Sequence, residues 1–185
     1  DEEIDCAKRG EDAYIIAKMN SLLDKRVIAK LYEASANGVK IDLIVRGICT
    51  LRPGIAGVSD HITVRSIVGR FLEHHRLFYF RNGGNEKLFL SSADWMPRNL
   101  NERVELMIPI EDKRHKSRIK GILDLYLVDT LKTHIMRADG SYYKASNVEG
   151  PLSAQEELME AANTQDNKEQ MTVIERFKPM FKMKE

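Results

Sequence analysis

An α/β domain, with a mixed or parallel sheet flanked by helices and a helical C-terminal tail, is predicted by three features of the sequence. A strand, a helix and a second strand follow one another inside the first 45 residues. Two apolar runs further on flank the turn Asn82-Gly83-Gly84-Asn85. Beyond them, Arg114 to Val128 repeats apolar residues at helical spacing.

Ala13-Tyr14-Ile15-Ile16-Ala17 is short, apolar and partly β-branched, as a buried strand requires. Asn20-Ser21 and Asp24 offer helix-start chemistry for a helix over Leu23 to Ala36. Val27, Ile28, Leu31 and Ala34 form its apolar stripe, and Asn37-Gly38 stops it. Val39 to Val45 completes a βαβ unit, whose crossover makes the two strands parallel and places ligands at their carboxyl ends. Arg46-Gly47 stands at such an end. Thr50 to Asp60, with Pro53, Gly54 and Gly57, reads as a loop able to form the lip of a site.

Ile62 to Ser66 reads as a strand, Ile67 to His75 as a short helix or turn, and Leu77 to Phe80 with Lys87 to Leu90 as a hairpin. Val104 to Ile110 is a further strand closed by Pro109. Ile119, Ile122, Leu123, Leu125 and Tyr126 make the apolar side of the helix over Arg114 to Val128. Thr133 to Arg137 pairs with Tyr142 to Lys144. Residues 1–162 are expected to form the domain and 163–185 a tail, flexible or docked on absent domains.

A chain of 185 residues is long enough for one sizeable core. Its 43% hydrophobic and 31% charged residues are those of a globular protein, and its net charge of +1 excludes a strongly basic nucleic-acid binder. Cys6 and Cys49 have neither the number nor the spacing of a disulfide framework or zinc site, and read as free thiols of a reducing compartment. No apolar run reaches the ~20 residues of a membrane span, and Asp1-Glu2-Glu3 is the reverse of a signal peptide's basic start. The expectation is a cytoplasmic chain, with peripheral membrane association left open. Lacking an initiating Met, it reads as a piece of a longer protein.

Any anion site must therefore be local. From Arg46 to Arg81 there are six arginines (Arg46, Arg52, Arg65, Arg70, Arg76, Arg81) against Asp60 and Glu73, and no lysine. The guanidinium fork binds phosphate oxygens bidentately and keeps its charge, so phosphate recognition and a solvated surface of chance bias stand as equal readings. Glu73-His74-His75-Arg76 precedes an apolar strand, and Ser91-Ser92-Ala93-Asp94-Trp95 follows the Gly-Gly turn. Hydroxyls donate to phosphate, and a carboxylate orients an imidazole. Neighbouring histidines diverge, so at most one of His74 and His75 enters a pocket. The residues alone leave His74 equally readable as structural and as catalytic.

Lys18-Met19-Asn20-Ser21-Leu22 with Asp24, Leu31-Tyr32-Glu33-Ala34-Ser35, Ile44-Val45-Arg46-Gly47-Ile48-Cys49, Gly69-Arg70-Phe71-Leu72-Glu73-His74 and Ser92-Ala93-Asp94-Trp95-Met96 with Arg98-Asn99-Leu100 closely resemble the last catalytic domain of bacterial polyphosphate kinases. The resemblance runs from about Cys6 to Leu127. It implies a phospholipase D-like fold and reversible transfer of the ATP terminal phosphoryl group to inorganic polyphosphate, through a phosphohistidine on a preceding domain. Arg46 and His74 would contact the phosphates, with His74 catalytic and Arg70, Arg76, Ser92, Asp94 and Arg103 as further phosphate or supporting residues. Mg2+ bridging phosphates is implied, its protein contacts mainly outside this domain, as are ATP/ADP, the remaining kinase domains and a homo-oligomer as partners. The superfamily's hydrolases carry H-x-K-x4-D; here Arg76 replaces the lysine and Arg81 the aspartate. A phosphodiesterase would need two intact motifs. A noncatalytic polyanion-binding module would use the arginines and not need His74.

Overall fold

The computed structural model describes residues 1–146 and 150–163. One eight-stranded sheet runs through the molecule: β1 (Tyr14–Met19), β2 (Lys40–Val45), β3 (Ile62–Ile67), β4 (Arg76–Phe80), β5 (Lys87–Ser91), β6 (Met107–Pro109), β7 (Thr133–Met136) and β8 (Tyr142–Lys144). Their order across the sheet is β6-β5-β4-β1-β2-β3-β7-β8. β1, β2 and β3 are parallel, and the strands outside them add antiparallel. The mixed α/β fold read from the sequence is the fold observed.

The central strands bury both faces, and two apolar clusters result. Ile15, Ala17 and Met19 pack against α2 (Lys25–Ala36) through Ile28, Leu31 and Ala34. Ile16, Leu77, Tyr79 and Leu88 pack on the opposite face against Leu123 and Tyr126 of α4 (Lys113–Val128). Truncating such a side chain to alanine costs about 2–5 kcal/mol. Helix α2 starts at Lys25, because Asp24 caps it: the carboxylate accepts from Arg26 N and Val27 N, both at 3.0 Å. Asp112 caps α4 in the same way.

Besides the helical residues 154–163, two helices escaped the sequence reading. One is α1 (Glu2–Lys8), and the other is the one-turn α3 (Pro97–Asn101). Buried Glu3 anchors α1 by accepting from Tyr14 N at 2.9 Å and Asn82 N at 2.6 Å.

Three expectations need correction. Of the short helix or turn expected over Ile67 to His75, no helix forms, and beyond the end of β3 the chain bends at Arg70 and Phe71; the Gln155 side chain takes the place of a paired backbone there, accepting from Phe71 N at 3.0 Å and donating to Phe71 O at 2.9 Å. The strand expected over Val104 to Ile110 shrinks to Met107–Pro109 at the sheet edge, with Val104 99% exposed. Pro109 lies within it, as an edge strand permits.

The loop over 50–60 is not a lip. It carries the chain from the end of β2 back to the start of β3 across the α2 face, with Leu51 buried, Tyr32 Oη accepting from Arg52 N at 2.8 Å and Ser35 Oγ accepting from His61 N at 3.2 Å. The hairpin of β7 and β8 forms as expected. Residues 154–163 are helical and cover the α4 face through Ala154 and Leu158. Apart from Asn163, the tail lies outside the described residues. Cys6 and Cys49 are free thiols.

Candidate active site

The carboxyl ends of β1 and β2 and the ends of β4 and β5 beside them are knitted together. Leu22, just after β1, bridges in parallel to both Cys49 and Trp95, and Trp95 O accepts from Leu23 N and Asp24 N, each at 2.9 Å. Gly47 N donates to Asn20 O at 2.8 Å. A Cβ on Gly47 would stand 2.7 Å from that same oxygen, so only glycine allows the turn to press this close.

Four of the residues singled out by sequence meet here. Arg46, the first residue past β2, donates from Nε to Asn20 Oδ1 at 2.6 Å. Asn20 donates to Asp94 from its backbone N at 2.7 Å and from Nδ2 at 3.2 and 3.3 Å. Asp94 also accepts from Arg76 Nε at 3.2 Å and Nη2 at 3.0 Å, a bidentate pair. Arg76 donates from Nη1 to His74 O at 2.9 Å and lies 3.2 and 3.4 Å from the two ring nitrogens of His74. Arg46 and His74, 28 positions apart in sequence, thus belong to one chain of contacts through Asn20, Asp94 and Arg76. Burial works to raise the Asp94 pKa, but the bonds from Arg76 and Asn20 outweigh it and hold the carboxyl below its ordinary value.

The other singled-out residues are placed differently. Ser92 Oγ donates to Glu105 and accepts from Leu106 N at 2.9 Å, so its proton is committed to a carboxylate rather than to a phosphate. Exposed Arg103 stands in the same loop and helps to lower the Glu105 pKa, behind the hydrogen bonds from Ser92 and Asn99. Exposed Arg70 lies over the Phe71 ring, 5.5 Å from its centroid, outside the network.

Nor does the run of six arginines form one patch. Arg65 is paired with Asp42 at 2.9 Å within the sheet. Arg81 lies at the other end of β4 with Asp12 and Glu86, at 2.8 and 2.5 Å. Arg52 sits over the α2 face. Only Arg46 and Arg76 converge.

His74 and His75 diverge as neighbouring residues in an extended chain do. His74 is exposed in the site, and His75 turns to the α4 face, where its ring stacks on Tyr126 with centroids 5.8 Å apart. Its Nε2 is buried without a partner. Beside it Lys18, 3% exposed, pairs with Glu73 at 3.3 Å, and Glu73 accepts from Gln155 Nε2 at 3.1 Å. None of these contacts was read from the sequence, where Lys18 entered only in the Lys18 to Leu22 segment that carries the family resemblance.

Burial first, and then the charge of Lys18, pushes the His75 pKa down to about 4. An unfolded chain takes up that proton near pH 6.5 and the folded chain only near 4. Between those values the unfolded state holds more protons, so stability is lost as the pH falls from 6.5 toward 4. The expected loss reaches about 2–3 kcal/mol at pH 4, and His75→Gln should flatten urea unfolding measured from pH 7 to pH 4.

The sequence of residues 1–155 matches the family described as polyphosphate kinase C-terminal domain 2. The chain belongs to this polyphosphate kinase family. It is 54% identical over 156 residues to the polyphosphate kinase of Pseudomonas aeruginosa, covering 83% of this chain and 23% of the relative. To the enzyme of Bacillus anthracis it is 56% identical over 147 residues, 80% of this chain and 21% of that one. The chain thus spans less than a quarter of the curated polyphosphate kinases it matches. The crystal structure of Porphyromonas gingivalis polyphosphate kinase superposes with a TM-score of 0.85 at 40% identity, over 90% of this chain and 26% of that one. A phospholipase D family member from Salmonella typhimurium shares the fold at 13% identity and a TM-score of 0.50, over 73% of this chain and 88% of that one. A phospholipase D-like fold is therefore the fold of this polyphosphate kinase domain.

Proposed function

We propose that this domain supplies the phosphate-binding half of a polyphosphate kinase active site. There the terminal phosphoryl group of ATP passes reversibly to inorganic polyphosphate by way of a phosphohistidine on another domain. The observation that carries the reading is the joining of Arg46 and His74 through Asn20, Asp94 and Arg76. Arg46 neutralises charge that develops on the transferring phosphoryl group, the main source of catalysis in such transfers. His74 hydrogen-bonds the phosphate chain and protonates a leaving oxygen. Arg76 stands where a hydrolase of this fold has its lysine, but its donors are spent on Asp94 and His74, which favours the kinase reading over phosphodiester hydrolysis.

Mg2+, as the partner of ATP, would bridge phosphate oxygens and offset their charge. No group of three His, Cys, Asp or Glu side chains among the described residues is placed to hold a metal, and Asp94 is already occupied by Arg76 and Asn20. The ion's protein contacts therefore belong to other domains in this reading. The same reading carries a cytoplasmic, homo-oligomeric full-length enzyme, with any membrane contact peripheral. No helix among the described residues is long and apolar enough to cross a membrane.

The test is His74→Ala in a full-length polyphosphate kinase carrying this chain as its C-terminal domain. Synthesis is expected to fall about 10²-fold, with the melting temperature unchanged within about 2 °C because the side chain is exposed. Near-normal synthesis would leave the noncatalytic polyanion-binding module as the better reading.

A further inference from the structure

We infer that Asn20 is the positioning residue that aims Arg46, presenting the two terminal nitrogens of its guanidinium end-on to the phosphoryl group. The inference rests on the function proposed above and concerns how the same site is held ready.

A guanidinium can meet a phosphate side-on, through Nε and one terminal nitrogen, or end-on, through Nη1 and Nη2. In Arg46 the Nε–H is already spent on Asn20 Oδ1 at 2.6 Å, and among the described residues Nη1 and Nη2 have no protein partner. Only the end-on fork remains for a ligand.

The Asn20 amide is itself fixed. Its Nδ2 donates to both oxygens of Asp94, at 3.2 and 3.3 Å, so Oδ1 must face Arg46. Flipping the amide would set an N–H against the guanidinium and an oxygen against the carboxylate. Asp94 cannot turn away either, because Arg76 grips it through two nitrogens and Asn20 N donates to it at 2.7 Å. Both residues are buried, Asn20 at 8% exposure and Asp94 at 6%.

The backbone adds a second hold. Gly47, next to Arg46, donates to Asn20 O at 2.8 Å, so Asn20 fixes Arg46 at its Cα and at its Nε alike. A long side chain that would otherwise sample many rotamers enters the reaction already oriented, which is where positioned groups gain their rate.

The experiment is a double-substitution cycle in the full-length polyphosphate kinase, reading kcat and KM for Mg-ATP. Asn20→Ala removes the side chain but leaves the backbone bonds to Asp94 and Gly47, so the melting temperature should fall only by the loss of the side-chain bonds, with the fold retained. Its kcat is expected to fall roughly tenfold or more, with KM changing far less. Lysine at position 46 has no Nε–H fork to aim, so in an Arg46→Lys background Asn20→Ala should cost about twofold or less. Asn20→Ser, small and polar but too short to reach Arg46, carries the same readouts if the alanine variant melts early.

Full kcat in Asn20→Ala beside an impaired Arg46→Lys overturns this inference alone, as do two losses that simply multiply. Normal kcat in Arg46→Lys overturns the aiming, since charge alone would then serve, and normal kcat in Arg46→Ala overturns the role given to Arg46 as well.

Discussion

Arg46→Ala in the full-length polyphosphate kinase is expected to lower ATP-dependent chain synthesis about 10³-fold, the lower end of what an arginine contributes at a transferring phosphoryl group. The argument starts from position. Arg46 is the first residue beyond β2, at the carboxyl end of a parallel strand pair, where βα folds of this kind gather ligands. Its Nε is held by Asn20, and no carboxylate among the described residues is bonded to its terminal nitrogens to compete with a phosphate. Arg46→Lys keeps the charge and loses the fork, so an intermediate loss of about 10- to 10²-fold is expected. Steady-state synthesis with saturating Mg-ATP distinguishes the cases. Equal activity of the lysine variant and wild type would mean that charge alone matters there, and near-normal activity of the alanine variant would remove Arg46 from the reaction.

How far such a site can be read in advance depends on which forces build it. The βαβ unit was legible because its cues are local: β-branched runs, the Asp24 cap, and Ile28, Leu31 and Ala34 at helical spacing. Arg46 was legible for the same reason, since a strand's end follows from its apolar run. Helix α1 was not, because its anchor is a tertiary contact, Glu3 reaching the backbone of Tyr14 and Asn82.

The arginine run misled through strand geometry. The five residues of β4 carry the chain roughly 16 Å, which puts Arg81 at the far end of the sheet from Arg76. Apart from its place in a segment that carries the family resemblance, Asn20 was read only as helix-start chemistry. Its bond to Asp94 spans 74 positions, and no spacing rule reaches across that distance. The sequence reading put Asp94 beside a histidine; in the structure it meets His74 through Arg76 rather than by touching the imidazole.

That intermediate position makes Asp94 the residue whose loss should cost the fold most within the site. Arg76 and Asp94 are 11% and 8% exposed at their side chains and 3.0 Å apart. Asp94→Ala leaves a guanidinium that cannot shed its proton in a buried setting, together with an Asn20 amide and backbone N–H lacking their acceptor. Breaking a buried pair from one side costs about 3–5 kcal/mol, so urea unfolding at pH 7 should register a loss of that size. Asp94→Asn keeps an acceptor for part of the network and should lose about 1–3 kcal/mol.

The acid limb offers an independent check. The folded carboxyl is held below its ordinary value, so its contribution is complete above the unfolded pKa of ~4 and is lost as the pH falls through the lower folded value. His75 acts in the window above, between 6.5 and about 4. Asp94→Asn should therefore flatten the stability profile only below pH ~4, and His75→Gln only above it. A loss under about 1 kcal/mol in Asp94→Ala would show that Arg76 is carried by solvent rather than by the pair. Arg46 and His74 would then be held by separate supports instead of a shared one.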